Sequence, residues 1–161
     1  MKNRLINLIT AAFFLGLIAC GGGGAGSGSD APAEAEITTS VSDISWSFAD
    51  TVAGSCSYVD SFIITVKDKA TNVPLSNVRL TIFNSFAVPN TGFMLLYDGD
   101  PNDGGHGENS PMTVTTDKNG TFTLFYGFCG GIGYEYSSPF TISSGPLNEV
   151  VPFDVSIETA T

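Results

Sequence analysis

The chain has 161 residues, 42% of them hydrophobic, and sixteen acidic residues against six basic ones give a formal net charge of −10. That balance argues against nucleic acid and anionic lipid surfaces as partners of the folded part, since both attract basic patches. A single histidine, His106, excludes a zinc site built from several histidines.

Lys2 and Arg4 precede an apolar run of fourteen residues, Leu5 to Ile18. This is the layout of a secretory signal, and it is shorter than the ~20 residues that a membrane-spanning helix needs. Ala19 and Cys20 follow. Together Leu17, Ile18, Ala19 and Cys20 resemble the lipobox of bacterial lipoproteins. The resemblance implies a lipoprotein signal peptide over 1–19 and an exported protein whose first mature residue, Cys20, carries acyl chains such as palmitate. Each buried CH2 contributes ~0.8 kcal/mol, and two or more chains hold a protein on a membrane where one does not. In such lipoproteins an aspartate after the cysteine tends to retain the protein at the inner membrane. Gly21 stands there instead, which implies the cell outer membrane if the host is diderm. Ordinary cleavage near Ala19 would leave Cys20 as a free or disulfide-bonded thiol.

Residues 21–36, GGGGAGSGSDAPAEAE, include no aromatic side chain and no aliphatic one larger than alanine. The composition predicts that 20–36 is a flexible tether. Its expected end-to-end distance is about 20 to 24 Å. The remainder, 37–161, has the length of one domain with a sizeable core. Once the signal is removed, four basic and sixteen acidic residues remain, and 4 − 16 gives −12.

Within that domain the pattern is strand-like. In SFIITVKD, Phe62, Ile64 and Val66 alternate with Ile63, Thr65 and Lys67; in NVRLTIF, Val78, Leu80 and Ile82 alternate with Arg79, Thr81 and Phe83. A period of two predicts one buried face. Phe93 to Tyr97, Met112 to Thr116, Thr121 to Tyr126, Tyr134 to Ile142 and Val150 to Ile157 are further candidates. TNVPLSN, DKNG and SSGPLN supply turn residues between them. Seven or so short strands predict an all-β, antiparallel two-sheet sandwich.

The run Ile64 to Phe83, followed by Val114 to Tyr126, resembles the bacterial Ig-like modules of the invasin and intimin type. It is also similar to the carboxypeptidase regulatory-like sandwich domains. Asp68, Pro74 and Val78 match the first part of the shared layout, and Thr116, Asp117, Gly120, Phe122 and Leu124 the second. Asn77 stands where those modules usually have glycine. The resemblance implies an Ig-like fold and surface display; its motifs are structural turns rather than chemistry. Asn119-Gly120 accepts positive φ and predicts a hairpin closing onto the next strand.

Cys56 and Cys129 lie in a chain read as exported, where disulfides persist, and with Cys20 acylated their number is even. A bond between them would span 73 residues, worth ~4 kcal/mol in the chain-entropy model. Two separate buried thiols are the alternative. Trp46 precedes both cysteines, unlike the tryptophan of antibody domains.

No G-x-S-x-G elbow accompanies His106, so the expectation is a non-enzymatic protein with no cofactor. Aromatic residues concentrate between Phe122 and Phe140. Core packing explains them, or else Phe125, Tyr134 and Tyr136 face outward as a platform for a glycan or protein partner. The loop Tyr97 to Asn109 carries Asp98, Asp100, Asn102, Asp103 and Glu108. Calcium takes six to eight oxygen ligands, but Asp103 falls where an EF-hand loop needs glycine, so a solvated loop competes with a calcium site. The expected function is therefore a cell-envelope lipoprotein that displays one Ig-like module for binding, adhesion or assembly of an envelope complex. The alternative is a calcium- or small-ligand (glycan) binding lipoprotein.

Overall fold

The computed structural model describes residues 28–48, 58–87, 94–128 and 135–157. They form twelve strands: β1 (Ala35–Thr39), β2 (Ile44–Phe48), β3 (Tyr58–Asp68), β4 (Arg79–Phe83), β5 (Met94–Tyr97), β6 (Gly107–Glu108), β7 (Met112–Thr115), β8 (Thr121–Phe128), β9 (Glu135–Ser137), β10 (Phe140–Ser144), β11 (Leu147–Val151) and β12 (Phe153–Ile157). A five-stranded sheet in the order β1-β3-β8-β5-β6 faces a four-stranded sheet in the order β11-β10-β4-β7. The architecture is an all-β sandwich, antiparallel within both of these sheets.

Alternation decides which side of each strand is buried. Phe62, Ile64 and Val66 of β3 are buried, and so are Leu80 and Ile82 of β4. Their neighbours Ile63 and Phe83 point outward. The inner faces meet through aromatic rings: Phe140 of β10 lies 5.5 Å from Phe62 and 5.1 Å from Tyr126, both edge-on. Phe153 packs edge-on against Phe140 at 5.5 Å and Phe128 at 6.0 Å. Edge-to-face pairs contribute ~0.5–1.5 kcal/mol each beyond the area that they bury.

Prolines split two runs that read as single strands. Pro139 separates β9 from β10, and Pro152 separates β11 from β12, because a proline nitrogen has no hydrogen to give to a ladder. Beyond Pro152 the chain leaves the four-stranded sheet and builds a third, smaller one, β2-β12-β9. There β12 pairs with β2 in parallel, a departure from the expected purely antiparallel layout. That sheet places Trp46 over Tyr126, stacked at 5.3 Å and 17°.

The folded part starts earlier than composition suggests. Residues 28–36, read from sequence as the end of a tether, are packed on the sandwich. Ser29 bridges to Val78, Asp30 pairs with Arg79, and the Ala31 amide donates to Ser144 Oγ at 2.8 Å. Ala31 and Ala35 are 3% and 4% exposed. Alanine suffices here because the available space is small: β1 lies flat beside β3 from Ala35↔Asp68 to Thr39↔Ile64.

The DKNG turn also differs from expectation. It joins β7 of the four-stranded sheet to β8 of the five-stranded one, so it is a crossover between sheets rather than a hairpin. Gly120 alone carries the positive φ of that turn, +71°. A Cβ at Gly120 would sit 2.6 Å from the Val66 carbonyl oxygen and 2.9 Å from the Leu75 nitrogen. Asn77 adopts φ +57°, a conformation that asparagine tolerates better than most residues.

Candidate functional site

The five-stranded sheet shows solvent an outer face that carries several apolar residues. Strand register places its residues side by side. Val59 is opposite Gly127, Gly127 is opposite Leu95, and Phe125 lies between Ser61 and Tyr97. Ile63 is opposite Thr123 in the next row. Val59 and Ile63 are 41% and 44% exposed, while Leu95, Tyr97 and Phe125 are half-buried. At Gly127 a Cβ would lie 3.2 Å from the Tyr97 ring, so glycine lets that ring lie close over the strand. Five large apolar side chains thus share one side of three adjacent strands.

The outer face of the other sheet is different. Thr81 is opposite Thr113 and Ser143, and Ser143 is opposite Asn148, so hydroxyls and an amide run across it. Phe83 and Val150, both beside Thr141, are its exposed apolar residues. A shallow groove of about 530 Å³ runs between Ile37–Ser42 and Glu149, lined mainly by hydroxyls.

The acidic loop is held by its own hydrogen bonds. Asp98 Oδ1 accepts from the His106 amide at 2.7 Å, and Asp100 Oδ1 accepts from the Asn102 amide at 2.8 Å and from its side chain at 3.1 Å. Asp100 caps the short 3-10 turn Pro101–Asp103, which Gly104 ends with φ +88°. Two carboxylates are thereby occupied in closing their own loop, and Asn102, Asp103 and Glu108 are exposed. Among the described residues no group of three or more histidine, cysteine, aspartate or glutamate side chains is placed to hold a metal ion. Of the five residues read from sequence as calcium ligands, Asp98 and Asp100 are turned to groups of their own loop, Asn102 donates to Asp100, and Asp103 and Glu108 are exposed. His106 is exposed.

Two other aspartates hold turns. Asp68 accepts from the Thr71 hydroxyl and amide, both at 2.7 Å, and these bonds lower its pKa from the usual value of 3.8. Asp117 accepts from the Thr121 amide at 2.8 Å, which lowers its pKa in the same way, helped by the Asn119 amide at 2.9 Å. Burial, with Asp60 nearby, raises the Tyr126 hydroxyl above the ordinary phenol range.

Of the residues singled out from sequence, Cys20, Cys56, Cys129 and Tyr134 lie outside the described residues, as does the 1–19 signal. Tyr136 belongs to β9 and pairs through its backbone with Val155. Phe125 does face outward, whereas Leu124, Tyr126, Phe128 and Phe140 are buried in the core. Sequence reasoning missed Val59, Leu95 and Tyr97 as members of the outer face. The available signal was a pair of adjacent apolar residues, Ile63-Ile64 or Leu95-Leu96, which puts one of them on the solvent side of a strand.

No family model matches the sequence, and no curated protein does. Among solved structures, one similar chain is a family 123 glycoside hydrolase from Clostridium perfringens, studied for glycolipid glycan hydrolysis. It is 9% identical over 78% of this chain, with a TM-score of 0.44. This chain spans 27% of that enzyme. Another is an ASH/PapD-like domain of human CEP192, 13% identical over 80% of this chain and 87% of that one, with a TM-score of 0.36. At such values neither likeness bears on function.

Proposed function

We propose that this chain is an exported lipoprotein, anchored through Cys20, that displays one Ig-like β-sandwich for non-enzymatic binding or assembly in the cell envelope. The observation that carries the binding role is the outer face of β3, β8 and β5, where Val59 and Ile63 remain more than two-fifths exposed. Apolar surface that is left in water lowers free energy by ~25 cal/mol per Å2 when a partner covers it, and contiguous patches of this kind mark interaction sites. The lipobox and apolar leader support the anchor.

The Tyr97 ring laid over Gly127 favours a second reading, a glycan stacked on that ring. A calcium-binding role has no comparable observation behind it. The reading is tested by affinity capture from the native envelope with wild-type protein and with the neutral double variant Ile63→Ser, Phe125→Ser. A partner enriched by the wild type and lost from the variant is the expected result. Equal capture by a folded variant would refute the assignment of the face.

A further inference from the structure

We propose that the outer face of β3, β8 and β5 receives a cationic protein segment: aliphatic side chains at the centre, lysine or arginine around them. The proposal rests on the binding role assigned to that face above and specifies its partner. Charge supports it. The chain after Cys20 has four basic residues and sixteen acidic ones, and all four basic residues lie away from Val59, Phe125 and Tyr97. Lys69 and Lys118 stand in the turns beyond the far ends of β3 and β8, and Arg79 belongs to the other sheet, paired with Asp30. Lys67 shares the outer face but is neutralised by Glu36 at 3.0 Å. It also lies four residues from Ile63, about 13 Å along the strand, farther than the ~8 Å Debye length at physiological ionic strength.

Acidic residues, by contrast, border the face. The chain leaves Tyr97 directly into the loop of Asp98, Asp100 and Asp103, all exposed. An apolar centre whose residues Val59 and Tyr97 are followed in the chain by exposed Asp60 and Asp98, on a domain with a side-chain charge of −12 (4 − 16), attracts a partner of opposite sign and repels a second copy of itself, an anionic lipid surface or nucleic acid. The two most exposed members, Val59 and Ile63, are branched aliphatics. They offer aliphatic surface to a partner, whereas the rings of the face, Tyr97 and Phe125, are half-buried.

The test uses the mature chain, isotope-labelled for NMR, titrated with three probes: a peptide alternating valine and lysine, its valine-glutamate counterpart and a neutral glucose oligosaccharide. The lysine peptide is expected to shift Val59, Ile63, Leu95 and Phe125 signals, with binding that weakens as salt rises. Because serine leaves the charge unchanged, Ile63→Ser with Phe125→Ser is expected to weaken that binding roughly tenfold, as loss of a central apolar contact does at an interface. If that variant fails to fold, Val59→Ser with Ile63→Ser takes its place. Undiminished binding by a folded variant would show attraction by net charge alone and overturn the proposal. So would shifts on this face from the glutamate peptide or the oligosaccharide in place of the lysine peptide, an outcome that leaves the binding role of the face intact. No shift on the face from any probe also overturns the proposal, and the envelope capture then decides the broader reading separately.

Discussion

Single residues fix this fold where the chain turns between its sheets. Gly120 sits at positive φ with its α-carbon against the Val66 carbonyl, so Gly120→Ala combines a strained backbone with a 2.6 Å clash. It should destabilise by more than about 1 kcal/mol, seen as a lower urea midpoint. Gly104→Ala, at φ +88° but with open space around it, should cost less. Asp68 and Asp117 make a prediction about pH. Their folded pKa values lie below the usual 3.8, so their contribution is present above that value and is lost as pH falls through the lower folded values. Stability should therefore drop as pH falls below about 4, and Asp117→Asn should flatten that drop relative to wild type. An unchanged acid profile in the variant would show that the Thr121 bonds do not contribute.

Strands with a strict period of two were legible in the sequence, and the described residues follow the pattern: Val78, Leu80 and Ile82 are buried, while Arg79 and Thr81 are half-buried and Phe83 is exposed. Three features were not legible. The edge strand β1, AEITT, and the residues before it look like tether in composition, yet Ala35 pairs with Asp68 of β3 and the Ala31 amide donates to Ser144. Pro139 and Pro152 break runs whose apolar content is continuous. The outer face of β3, β8 and β5 emerges only when register sets Phe125 beside Tyr97, residues that are 28 positions apart in the chain. Long-range pairing of this sort leaves no local trace. The packing of β1 predicts that a chain trimmed to begin at Ile37 melts lower than one beginning at Gly28, because trimming removes the Ala31–Ser144 hydrogen bond and the Asp30–Arg79 and Glu36–Lys67 ion pairs. Equal melting temperatures would restore the tether reading for residues 28–36.

At the scale of the whole molecule, the long central strands run between two poles. The chain enters at one pole: Ser29 bridges to Val78, and the Lys69 amide donates to the Glu34 carbonyl. At the other pole the β3–β8 ladder ends in the rung Tyr58↔Phe128, with Cys56 two residues before it and Cys129 one residue after it in sequence. That spacing supports the proposed disulfide. Both thiols should resist alkylation in the exported protein until a reductant is added, and rapid labelling of native protein would refute the bond. The proposed anchor, which precedes the entry pole in the chain, would leave the outer face with Val59, Ile63 and Phe125 open to a neighbour in the envelope. Site-specific photo-crosslinking in intact cells tests this claim most directly, with the reactive group at position 63 in one protein and at position 81, on the hydroxyl-rich outer face of the other sheet, in a second. The account predicts a discrete adduct from position 63 and none from position 81; an adduct from position 81 alone, or from neither position, would contradict it.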